Sequence, residues 1–165
     1  MLEETIESVA QLSPVNGWEV EHLWLVDHEY DGCSKTMNRL ARTAKGKWFV
    51  PIADDDLVLP WFLTDLAGAS RGADVVYAPP LVTGPNHGGE EQFWGEPPNI
   101  PAVALIRRTL WDALGGYSEA YAEREDMVFF GHALERKARF VRVARQSWVY
   151  RFWGGNKSRG AVFGG

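Results

Sequence analysis

Residues Lys47 to Pro60 read KWFVPIADDDLVLP. An apolar run climbs to three consecutive aspartates, Asp54, Asp55 and Asp56, turns apolar again and stops at a proline. The run reads as a buried strand, with Pro51 marking a bulge or an edge because it cannot donate to a ladder. Three adjacent carboxylates repel one another. A strand end that carries them needs compensation from water, from helix-terminal N–H groups or from a metal ion. Alone, the triplet also suits a solvated turn ahead of a helix over PWFLTDLAGA, where Pro60 takes a first helical position.

Outward from this stretch the chain alternates. LEETIESVAQL carries Leu2, Ile6, Val9 and Ala10 on one helical stripe. HLWLVD, His22 to Asp27, is a short apolar run ending in an acid and reads as a buried strand. SKTMNRLARTAKG reads as a helix with Ser34 as N-cap and Gly46 as stop. Further on, DVVYAPP and AVALIRR read as strands, TLWDALGG and REDMVFFGHALERKA as helices, and RFVRVARQSWVYRF as one or two closing strands. Arg107 and Arg108 cannot both face the buried side of a strand, so one of them should be exposed. Residues Thr83 to Pro101 form a long Gly/Pro-rich connection, the length at which loops are usually functional. Strands alternating with helices imply an α/β domain with a mostly parallel sheet flanked by helices. The domain should span 1–153, with 154–165 a Gly-rich flexible tail. In such sheets ligands bind beyond the carboxyl ends of the strands. Asp27 and Asp54–Asp56 both lie at such ends, and neighbouring strands would bring them to one rim.

The 165 residues suffice for one core, and 45% apolar with 24% charged residues is ordinary for a globular domain. A net charge of -5 speaks against nucleic acid as a partner. Cys33 is the single cysteine, so no internal disulfide forms, which suits a reducing, cytoplasmic setting. No apolar run approaches a membrane span and no signal peptide is evident. Eight tryptophans stand out; most should fill core, and exposed ones would suit sugar binding.

The stretches GCSKTMNRLARTAKGKWFVPIADDDLVLP, IPAVALIRRTLWDALGGYSEAYAEREDMVFFGHAL and WVYRFWGGNKS resemble, in this order, the family-2 glycosyltransferases with a GT-A fold. The resemblance implies a Rossmann-like GT-A domain, a nucleoside-diphosphate sugar donor, Mn²⁺ or Mg²⁺, and an inverting mechanism. It implies that Asp27 contacts the nucleobase and that Ser34, Lys35 and Asn38 meet the donor. Of Asp54, Asp55 and Asp56, one would bind the metal and another, such as Asp54, the ribose or sugar. Asp126 would be the general base, with Glu125 beside it; Asp126 could otherwise merely favour the N-terminus of its helix. The acceptor, a glycan, a protein or a small molecule, would meet the aromatic and polar residues of 86–94. The chain departs from the family in three ways. It opens on the first helix without the usual preceding strand, His28 follows Asp27, and Trp153 stands where many relatives carry a histidine ligand. The missing strand would leave the donor pocket open on one side, with an unpaired edge that suits a homodimer. The competing readings are an inactive nucleotide- or glycan-binding relative and a metal-dependent nucleotidyltransferase. Against the latter, no GxxxxGK[ST] loop occurs. A two-carboxylate glycoside hydrolase would not need the acidic triplet.

Overall fold

The computed structural model describes residues 1–84, 95–121 and 124–153. The expected acceptor platform at 86–94 and the glycine-rich tail from Gly154 lie outside these residues. Helix α1 spans Leu2–Ala10 and α2 Cys33–Thr43. Strands β1 (Trp48–Phe49) and β2 (Leu57–Val58) bracket the acidic turn, and α3 (Phe62–Gly68) follows two residues after Pro60. Then come β3 (Val75–Tyr77), β4 (Pro80–Thr83), β5 (Ala104–Arg107), α4 (Arg108–Leu114), α5 (Glu125–Glu135), β6 (Phe140–Arg142) and β7 (Trp148–Arg151). No described helix is long and apolar enough to cross a membrane.

The strands form two sheets, ordered β1-β5-β3-β6 and β2-β7-β4. Both are mixed, so the expectation of a mostly parallel sheet is corrected. β3–β6 and β4–β7 are parallel, while β1–β5, β3–β5 and β2–β7 are antiparallel. The reason is the connections. The helices α4 and α5 carry the chain back over the sheet between β5 and β6, a crossover that leaves β6 parallel to β3. The stretch between Thr83 and Ala104 makes no helical crossover among its described residues, and β5 returns beside β3 in the opposite direction.

The period-2 alternation of strands explains why the central strands are apolar on both sides. In β3, Val76 faces a core shared with Phe62, Leu63 and Leu66 of α3, whereas Val75 and Tyr77 face a core shared with Trp111, Phe129 and Phe130. In β5, Leu105 goes to the first core and Ala104 and Ile106 to the second. The sheet is thus covered on one face by α3 and on the other by α4 and α5, with Met37 and Ala41 of α2 packed there too. The result is an α/β domain whose larger sheet carries helices on both faces.

The edge strand β1 is held by cation–π stacking. The Arg107 guanidinium lies 4.4 Å from the Trp48 ring centroid and that of Arg108 lies 4.4 Å from Phe49. Neither arginine is merely exposed, contrary to the sequence expectation. They sit at the β5–α4 junction and use opposite faces of the same neighbour.

HLWLVD is not a strand. Among the described residues it pairs with no other strand, and Leu23, Trp24, Leu25 and Val26 are 38–57% exposed. An apolar run forms a strand only where another strand meets it. Helix α2 also starts differently from expectation. Gly32 is its N-cap, and Ser34 is buried inside the first turn rather than capping it. At its other end the chain leaves the helix at Ala44, ahead of Gly46.

Candidate active site

The acidic turn is fixed from below. Thr5 Oγ1 of α1 lies 2.9 Å from the Asp54 carbonyl and 2.7 Å from that of Asp56. Ser8 Oγ accepts from the Val58 amide at 3.2 Å. Arg151 of β7 donates to the Asp55 carbonyl and pairs with Glu4 on α1. The three carboxyls themselves diverge. Asp54 is exposed, and Asp55 is half-buried and accepts from Trp153 Nε1 at 3.0 Å. Asp56 is only 6% exposed. Burial, with Asp55 adding to it, raises the Asp56 pKa from 3.8 to about 8 despite the opposing charge of Arg151. The repulsion posed by the triplet is therefore relieved by keeping one member neutral. Sequence reasoning missed Thr5 and Arg151, because a hydroxyl on a helix face and a cation on a distant strand carry no motif; Trp153 was noted only as the residue standing in for a histidine ligand.

Asp126 lies in the first turn of α5. Its Oδ1 accepts from the Met127 amide at 2.8 Å. Burial outweighs this bond and, with Glu125 beside it, pushes the Asp126 pKa up to about 6. The helix start alone would have favoured the ionised form at lower pH, so the environment changes the sign of the shift. Arg124, the residue before α5, has φ +62°, an uncommon value outside glycine that aims the helix start.

A hollow of about 1800 Å³ runs along the domain. Asp27, Asp54, Asp55, Asp56, Glu125 and Asp126 all line it. Asp27 holds the loop entering α2, accepting from the Asp31 amide at 2.9 Å and the Gly32 amide at 2.8 Å. These bonds keep its carboxyl below the usual aspartate range. Ser34, Lys35 and Asn38 are not part of the lining. Lys35 pairs with Asp31 at 3.2 Å on the surface. Asn38 is buried and spends its amide on Tyr117, donating to its carbonyl at 2.8 Å and accepting from its N–H at 2.9 Å. Among the described residues, no three His, Cys, Asp or Glu side chains gather as a metal-holding group.

The sequence matches no family model and no curated protein. The fold does have solved neighbours. The crystal structure of S. aureus TarS 1-349 in complex with UDP superposes with a TM-score of 0.69 at 14% identity, over 92% of this chain and 56% of that one. A second crystal structure of S. aureus TarS 1-349 gives 0.68 at 14% identity, over 91% of this chain and 56% of that one. The larger TarS structure gives 0.68 at 14% identity, over 92% of this chain and 34% of that one. The chain therefore spans little more than half of the TarS 1-349 chain it matches.

Proposed function

We propose that the protein transfers a sugar from a nucleoside-diphosphate donor to a hydroxyl acceptor with inversion, with Asp126 as general base. One observation carries this reading: the half-buried Asp126 carboxyl, which burial and Glu125 hold above the usual aspartate range, lines the same hollow as the acidic turn. At neutral pH Asp126 is ionised and still basic enough to accept a proton. The acceptor oxygen attacks the anomeric carbon opposite the diphosphate. The bond to the diphosphate breaks, its electron pair leaves with the phosphate oxygen, and the acceptor's proton passes to Asp126. In this reading Asp27 meets the nucleobase and Asp54 the ribose or sugar hydroxyls, and both line the hollow. The UDP bound by TarS supports a nucleotide in this hollow.

We propose further that the acidic turn would hold a hard cation together with the diphosphate, although its diverging carboxyls form no ready-made group of three among the described residues. Asp56 Oδ1 is buried without a hydrogen-bond partner, and Asp54 and Asp55 offer carboxylate oxygens at the rim. Mg²⁺ and similar ions are commonly held by one or two carboxylates, with ligand phosphates and waters completing the shell. When bound, Mn²⁺ or Mg²⁺ would offset the charge that develops on the leaving diphosphate.

The test is incubation with a panel of nucleotide sugars and Mn²⁺, read by mass spectrometry. Slow donor hydrolysis that depends on Asp126 is expected. Binding without hydrolysis would make the protein a nucleotide-binding relative, and turnover of nucleoside triphosphates would move it to nucleotidyl transfer.

A further inference from the structure

Tyr117 follows the glycines that end α4, and the Asn38 amide pins its backbone through both its N–H and its carbonyl. It is only 2% exposed. Its ring stands edge-on to Trp111, with 4.8 Å between centroids, and to Phe129 at 5.6 Å. Phe129 lies three residues after Asp126 on α5, so the two share one helix face. Tyr117, Asp126 and Cys33 of α2 line the same hollow. Backbone and ring together fix where the phenol oxygen lies. There it is buried, with no hydrogen-bond partner among the described residues. A buried O–H left unmatched costs stability. Phenylalanine would fill the same aromatic cluster without that cost, so the hydroxyl needs a use.

We propose that Tyr117 is a positioning residue for Asp126: its hydroxyl donates to the Asp126 carboxylate, directly or across one bound water, and keeps this acid ionised in its half-buried setting. Glu125 shares the helix of Asp126 and Arg124 precedes it. Tyr117 comes from the segment after α4, with Cys33 of α2 beside it. Asp27, Asp54, Asp55 and Asp56 line the same hollow. Burial and Glu125 disfavour the charge on Asp126, and the Met127 amide favours it with one hydrogen bond. A carboxylate offers about four lone-pair sites, so a second donor leaves room for the acceptor's proton. The phenol suits this part because burial, and then Asp126, Cys33 and Glu125, hold its own ionisation well above the usual tyrosine range. It keeps its proton throughout, and the acceptor's proton still passes to Asp126. Only the consequence for sugar transfer rests on the proposed reaction; the link between the two side chains stands apart from it.

Carboxyl ¹³C NMR of the whole chain tests the link, with the Asp126 signal assigned by its loss in Asp126→Asn. In Tyr117→Phe the Asp126 midpoint should rise by about one pH unit, because a donor to the charged form has gone. A second measurement leaves Tyr117 intact. Its ζ-carbon signal should move with the Asp126 transition near pH 6, and that step should vanish in Asp126→Asn. An unmoved or lowered midpoint in folded Tyr117→Phe, or a Tyr117 signal that ignores the Asp126 transition, would overturn the proposal. In single-turnover transfer, Tyr117→Phe should be about fivefold slower at pH 6 and nearly normal at pH 8, as a one-unit rise dictates. A merely structural role would slow both alike and leave the midpoint where it was. A raised midpoint in a chain that transfers no sugar would uphold the link and sink the proposed reaction. Transfer that needs Asp126, with the midpoint unmoved in Tyr117→Phe, would sink the link and leave the reaction standing.

Discussion

Asp126 and Asp56 are both carboxyls raised by burial, yet the shifts have different consequences. With a pKa of about 6, Asp126 is ionised at pH 7, and protonation below that value removes the proposed base. The single-turnover rate should fall about tenfold per pH unit below roughly pH 6, and Asp126→Asn should lower it about 10²-fold or more with little change in donor binding. Glu125→Gln should do less, because adjacent helix residues point in different directions. Near-normal transfer by Asp126→Asn would remove it as base. Asp56 bears on stability. Its folded pKa of about 8 stands above the ordinary 3.8, so the folded state binds the extra proton between these values. Stability from this group is fully present below pH 3.8 and is lost as pH rises through 8. In the presence of a chelator, urea midpoints should therefore fall from pH 4 to pH 8, and Asp56→Asn should flatten that slope. An unchanged slope would show that Asp56 is solvated. The acids themselves were legible in the sequence, because three in a row at a strand end have few uses. Which of them stays neutral was not, since that depends on burial by elements far away in the chain, which outweighs the opposing charge of Arg151.

Helices were easier to read than strands. The stripe of α1, the Gly115 stop of α4 and the acidic start of α5 are local patterns, and all three helices lie where the sequence placed them. Strands depend on partners. β2 and β4 went unread because two to four residues beside a turn carry little periodicity, and HLWLVD was read as a strand although no described strand pairs with it. Asn38 illustrates the same limit. It was assigned to the donor by resemblance, whereas its amide bridges α2 to the segment after α4 through both backbone groups of Tyr117. Removing that amide leaves a buried donor and acceptor unmatched, so Asn38→Ala should cost about 1–3 kcal/mol, measured by urea unfolding. Gly116 has φ +78°, and a Cβ there would lie 2.4 Å from Asn38 Oδ1. Gly116→Ala should be destabilising in its own right, and the double variant should cost less than the sum, because truncating Asn38 also removes the clash. Strict additivity would mean that the two residues act separately.

Across the whole molecule, the hollow is framed by parts that converge from both chain ends. The acidic turn rests on α1, and Arg151, near the end of the described chain, reaches the Asp55 carbonyl, the Met1 carbonyl and Glu4 together. A planar guanidinium can fork across these acceptors, whereas an ammonium is a single point. Arg151→Lys keeps the charge that opposes the acids but loosens the joint between α1 and the turn. If the nucleotide is held where the acidic turn, Asp27 and α5 meet, its binding should stabilise the folded state by linkage. UDP with Mn²⁺ at 100 times Kd would contribute about 2.7 kcal/mol. For a chain of this size that is a rise in Tm of roughly 5–10 °C. In Arg151→Lys the rise at the same ligand concentration should shrink, because part of the binding free energy now goes into fixing the turn. Exchange protection of α4 and α5, whose aromatic core lies away from this joint, should stay as it was. An equal thermal shift in both proteins would mean that the turn is rigid without Arg151, and that the hydroxyls of Thr5 and Ser8 alone hold the acids in place.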